Sequence, residues 1–403
     1  MNEAIAQFFF YLAAIYVLSA PVLYWTRRMR LQDFTAYLIS GMVFGLALRW
    51  LQPYPSVLNR IFFENNIFIF FANHLGLLVF LIILGLNFEL SLFRWASSRV
   101  MRVTFVIALM NFGTIFLIGM FFFFHQQWFP TLFFATAFLT VGLGALVRNL
   151  VEADIHFRAE LTEIVQAGSL LDVLTIATFA TIHTVFQNLH RQYGVVDLIF
   201  LVLFMIFSIP IVFRRRISHW LNRIPVVASE SVILVALGIF LITLNLAYSS
   251  GLSVFFIGFW AGLFLKNMIP RFEQFPFQRI VNSSSFIYLL PFADAGRMVV
   301  MGYPGWKPFG YIVVGMVLVV IVILGLYFIY LVKQEHYSWP IAVGMVPGGE
   351  LSVLIIWLMW RSNIIGNAIG GGAIITILLT TIGWELMTRN FMRRRVVPEE
   401  EIL

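Results

Sequence analysis

Long apolar stretches alternate with short polar connections along the chain. Each stretch is about the 20 residues that a helix needs to cross a bilayer. They fall at 4–25, 34–51, 66–90, 103–124, 130–150, 161–187, 196–213, 226–247, 251–266, 280–301, 309–332, 338–361 and 366–388. The pattern predicts an all-α polytopic membrane protein of about 13 transmembrane helices. Glu3 stands where a secretory signal would have Lys or Arg, and no small-residue cleavage site follows, so the first stretch is expected to be retained as a span. Nothing after Arg395 is long enough to fold alone. One integral membrane domain over 1–403, without a soluble regulatory domain, is the expectation.

Composition agrees with the pattern. The chain is 61% hydrophobic and 11% charged, against roughly 25% charged for a globular domain. So few charges cannot cover a water-facing surface. The net charge of +7 points to basic cytoplasmic loops rather than to nucleic acid. With the N-terminus outside, 20 of the 26 basic residues fall on cytoplasmic connections and span ends. The other six are Arg49, Arg60, Arg191, Arg297, Lys307 and Arg361. An N-out, C-in orientation is therefore expected, in the cell's inner (plasma) membrane, and an odd number of spans agrees with it. The chain has no cysteine, which excludes disulfides, thiolate catalysis and Cys-ligated metal centres. No HExxH, P-loop or GxSxG sequence is present. Neither an enzyme nor a cofactor is expected.

Two spans look broken. The fifth contains Thr140-Val141-Gly142-Leu143-Gly144, and the twelfth contains Gly344-Met345-Val346-Pro347-Gly348-Gly349-Glu350. Pro removes a donor and Gly weakens helix, so the second break is the harder to attribute to close packing, the use that Gly41 and Gly45 suggest. Matching breaks suit inverted repeats made of spans two to six and nine to thirteen. Charges inside spans are costly and point to function. Asp172, near the middle of the sixth span, is the clearest. Asp294 and Arg297 sit three apart, close enough to pair on one helix. Glu350 follows the second break, where it could cap a half-helix. Glu89, Glu230 and Glu385 read as interfacial, and His74 and His183 as packing residues.

These residues resemble the monovalent cation:proton antiporter superfamily. The stretches His74–Leu81 and Leu84–Leu90 are similar to its third span. Gly251-Leu252-Ser253 with Gly258 and Ala261-Gly262-Leu263 is similar to another of its motifs. Pro347-Gly348-Gly349-Glu350-Leu351-Ser352 is similar to its penultimate helix, Val147-Arg148-Asn149-Leu150 to the end of its first broken helix, and Asp172-Val173-Leu174 to its ion site. The resemblance covers nearly the whole chain in order. It implies crossed broken helices within a core bundle near 103–187 and 309–388, with dimerisation helices near 1–90 and 226–301. It also implies a homodimer and an ion and proton site at Asp172, Val141, Gly142, Gly348 and Gly349, supported by Glu350, Arg148, Asp294 and Arg297.

The departures concern the chemistry. Leu171 replaces the first of two central carboxylates. Alignment on Leu324-Gly325 places Val322 where many members have a basic residue, so Leu171 and Val322 are expected to face each other. Val141-Gly142 replaces a Thr-Ser pair, which reads as a loss of hydroxyl ligands, and Gly349 replaces an arginine. The leading function is antiport of a monovalent cation, Na⁺ or K⁺, against H⁺, with Asp172 holding either ion in turn. Electroneutral exchange is expected, since one carboxylate without a basic partner carries one charge of either kind. The alternative is a non-transporting membrane subunit, sensor or scaffold that binds another membrane protein.

Overall fold

The computed structural model describes residues 2–29, 31–54, 66–88, 97–124, 126–141, 158–188, 199, 202–203, 241–242, 245–246, 249, 251–268, 285–302, 305–335, 345 and 347–395. These residues are almost entirely helical, as the absence of water in a bilayer core requires of the backbone. In chain order the helices are α1 (Asn2–Arg28), α2 (Asp33–Trp50), α3 (Ile67–Asn87), α4 (Ser98–Ile118), α5 (Trp128–Ala137) and α6 (Arg158–Asn188). They continue with α7 (Val254–Met268), α8 (Ser285–Tyr288), α9 (Leu290–Met301), α10 (Trp306–Tyr327), α11 (Glu350–Arg361) and α12 (Asn367–Arg395). Six helices among the described residues are long and apolar enough to span: Glu3–Arg28, Ile67–Asn87, Ser98–Phe123, Thr162–Phe186, Phe309–Gln334 and Asn367–Met387. The stretches expected at 196–213 and 226–247 lie almost wholly outside the described residues.

Local signals explain the helix ends. Glu3 sits in the first turn of α1 and Arg27 and Arg28 in its last, each complementing the helix dipole. Ser97 caps α4 by accepting from the Val100 amide at 3.2 Å. Both α4 and α10 finish in a wide π-helical turn, at Gly119–Phe123 and Phe328–Gln334.

Two compact units emerge. The first comprises Met1–Ala72, Leu90–Thr175 and Leu290–Leu403, and the second Asn73–Glu89 and Ile176–Leu289. In the first, α2 crosses α9 with backbone against backbone at two glycines. A Cβ on Gly41 would lie 1.8 Å from the Ala293 carbonyl oxygen, and one on Gly296 would lie 2.0 Å from that of Leu38. Gly41 therefore serves close helix packing, as read from the sequence. In the second unit, α3 and α7 meet in the same manner. Added Cβ atoms on Gly85 and Gly262 would lie 2.1 Å from the carbonyl oxygens of Phe259 and Ile82. Two of the stretches behind the family resemblance thus pack on each other. His183 is a satisfied packing residue there, with Nδ1 3.0 Å from Ser253 Oγ and its ring stacked on Phe179.

The facing of α10 corrects one expectation. Its buried stripe is Met316, Val319, Val320, Ile323 and Tyr327, while Val322 is 50% exposed and Leu171 on α6 is fully buried. Leu171 and Val322 do not form a pair. The inward position is one residue further on, at Ile323.

Candidate ion site at the helix crossover

Helix α5 arrives at the site with its C-terminus, and α11 leaves it with its N-terminus. After Ala137 the chain tightens, Phe138 and Leu139 donating to Ala135 and Thr136 at 3.2 Å. Val141 then pairs with Pro347 in a short antiparallel bridge, and the Gly348 amide donates to the Thr140 carbonyl at 3.2 Å. Gly348 has φ +113, a region that residues with a Cβ avoid. Pro347 has no amide to continue a helix. The sequence Pro-Gly-Gly therefore dictates a break that ordinary residues would not tolerate. Helix ends leave unpaired backbone groups, and Ser352 serves one from each half-helix. Its hydroxyl donates to the Ala137 carbonyl at 2.5 Å and accepts from the Gly349 amide at 3.3 Å.

The Thr140 hydroxyl donates to Asp172 Oδ1. Asp172 lies on α6, partly buried. The carboxylate thus reaches the crossover through a residue whose own carbonyl is held by Gly348, just ahead of α11. The dipoles oppose there: the α5 carbonyl end is partly negative and the α11 amide end partly positive. Among the described residues no three His, Asp or Glu side chains converge as a metal centre, so the site has the character of a single carboxylate set among hydroxyl and backbone oxygens. That donor set suits a hard, singly charged cation or a proton.

The family profile described as "Sodium/hydrogen exchanger, transmembrane" matches residues 14–391. The chain belongs to the sodium/hydrogen exchanger family. The family is one of multi-pass integral membrane transporters, not of enzymes. The fold is also similar to that of the sodium proton antiporter MjNhaP1 from Methanocaldococcus jannaschii at pH 8, with a TM-score of 0.63 and 16% sequence identity over 97% of this chain and 99% of that one. No curated protein sequence matches the chain.

Within this exchanger-family fold, the expected site residues divide. Asp172, Val141, Gly348 and Gly349 belong to the crossover or touch it, and Glu350 is the first residue of α11. Gly142 and Arg148 lie outside the described residues. Asp294 and Arg297 pair on α9, Arg297 Nε and Nη2 lying 3.0 and 2.8 Å from Asp294 Oδ1. Glu385, read as interfacial, is only 2% exposed. The sequence reading missed Thr140 and Ser352. Val141 and Gly142 carry no hydroxyl, and the one that meets Asp172 is a residue earlier. The available signal was a threonine immediately before the Val141-Gly142 break.

Ser352→Ala tests the crossover staple. The Ala137 carbonyl and Gly349 amide would both lose a partner in a buried place, and one orphaned group costs about 1–3 kcal/mol. A clear drop in melting temperature in detergent is expected, with Ser352→Thr recovering most of it. Equal melting of Ser352→Ala and the parent would mean the staple contributes nothing.

Proposed function

We propose that the chain exchanges one Na⁺ or K⁺ for one H⁺, with Asp172 as the shared site. The contact between Thr140 and Asp172 supports this reading most directly, because it joins the intramembrane carboxylate to the crossover of the broken helices. Thr140 contributes a hydroxyl oxygen, and the backbone at Val141, Gly348 and Gly349 lines the rest. A proton or a monovalent cation each leaves the carboxylate neutral. A divalent ion would leave a net charge in a water-poor place. Both loaded forms are therefore uncharged, and exchange is electroneutral. Carrying a net charge would couple transport to voltage at about 2.3 kcal/mol per 100 mV. The protein acts as a homodimer in the plasma membrane, N-terminus outside. Helices near 1–90 and 226–301 form the dimer contact, and the bundle near 103–187 and 309–388 holds the ion.

The test is proton flux driven by a Na⁺ or K⁺ gradient in proteoliposomes, run beside solid-supported membrane recordings. Flux without current is the expected result. A current scaling with the cation gradient would reject the one-carboxylate stoichiometry. The buried Leu171, standing where the family has a carboxylate, favours a second reading as a non-transporting subunit of a larger assembly. Absence of flux with either cation would select that reading.

A further inference from the structure

Asp294 accepts hydrogen bonds from two helices. Its Oδ1 serves Arg297, three residues on along α9. Its Oδ2 accepts from Trp357 Nε1 at 2.9 Å and from Arg361 Nε and Nη2 at 3.1 and 2.7 Å, all on α11. The Asp294 and Arg297 side chains are fully buried and Arg361 is 17% exposed. Arg297 already gives Asp294 one opposite charge from its own helix. Arg361 is thus not required to neutralise the carboxylate, and it adds a second positive charge where water is scarce. What it and Trp357 contribute is a tie between helices. The two residues are four apart, on one face of α11.

The carboxylate is itself held in place. Ala293 and Gly296 flank it on α9, at the backbone-to-backbone crossing with Gly41 and Leu38 of α2. Helix α11 contains neither Gly nor Pro, and Leu351 to Trp360 are all buried. It has no hinge at which to absorb a displacement. At its other end Gly348 is bonded to Thr140, and Ser352 to Ala137 and to the Gly349 amide. A rod of this kind passes any shift at Arg361 to the crossover, about 18 Å away over its 12 residues.

We infer that Asp294 is a positioning residue for the ion site: it fixes the far end of α11, and through that helix sets the crossover backbone against Thr140 and Asp172. The inference rests on the crossover being the ion site, while its structural half stands apart from any transport. Asp294 touches neither ion.

The absence of cysteine makes the crossover directly measurable. Val141→Cys and Pro347→Cys, placed at the antiparallel bridge, should form a disulfide readily under mild oxidant. Adding Arg361→Gln to that background leaves the Asp294–Arg297 pair intact, so folding should survive, and should slow disulfide formation several-fold. Arg361→Lys should recover part of the rate. In parallel, without the cysteines, Arg361→Gln should raise the cation half-saturation for proton flux several-fold with a smaller change in maximal rate. Trp357→Phe should shift both readouts in the same direction by less. Disulfide formation unaffected by Arg361→Gln would overturn the inference, whether or not the parent transports. So would a variant that melts earlier in detergent yet keeps parental half-saturation, which is how a purely structural tie behaves. Absence of flux in the parent would instead sink the antiport reading and leave the disulfide rates to decide.

Discussion

Asp172→Asn should abolish cation-dependent proton flux in proteoliposomes while the protein remains folded. Asparagine keeps the size of the side chain and an oxygen to accept from Thr140. It cannot take up and release a proton, and it offers no full negative charge to a cation. A second loss should accompany the first. A ligand present at 100 times its dissociation constant stabilises a folded protein by about 2.7 kcal/mol, so Na⁺ or K⁺ should raise the melting temperature of the parent and not of the variant. A well-folded Asp172→Asn protein exchanging cations for protons at the parental rate would remove Asp172 from the mechanism. Glu350, at the start of α11, would be the next carboxylate to test.

Asp294→Ala should be the most damaging single change to stability, costing about 3–5 kcal/mol, because it leaves a buried arginine without its carboxylate. Arg361, being partly exposed, can turn its guanidinium toward solvent. Arg297, with no exposure at all, has no such escape. Asp294→Leu combined with Arg297→Met should recover much of the loss, since replacing both members of a buried pair by apolar groups of similar size is often close to neutral. Detergent melting and size-exclusion profiles of the three proteins give the answer. An Asp294→Ala protein as stable as the parent would show that the charges are solvated or neutralised by other means.

Helix existence was legible in the sequence because a span must be long and apolar, and those properties are written in composition. The stretches at 34–51, 66–90 and 366–388 anticipate α2, α3 and most of α12. The second break was legible for a different reason. Pro347, Gly348 and Gly349 have specific backbone consequences, and Gly348 shows them in its positive φ. Helix facing was far less legible. A lipid-exposed helix is apolar all round, so α10 has no polar face from which to read its rotation, and Val322 and Ile323 look alike. One residue of ambiguity about 100° wide is enough to reverse inside and outside. Thr140 was overlooked for a related reason, since a motif expected at fixed positions drew attention one residue too far. Arg361 was counted only as a charge on the less basic side. Its partner is 67 residues away, and no local pattern connects them.

The wide turns that close α4 and α10 bear on how this chain can change length. A π turn spans one residue more than the α turn it replaces. Deleting one residue within it restores ordinary helix and leaves the residues before and after facing as they did. Elsewhere in a span the same deletion rotates everything beyond it by about 100° and takes buried side chains out of register. Gly119–Phe123 and Phe328–Gln334 are therefore places where the chain can lose a single residue without repacking the helices before them. An ungapped comparison with a relative of different span length will slip by one residue on passing them.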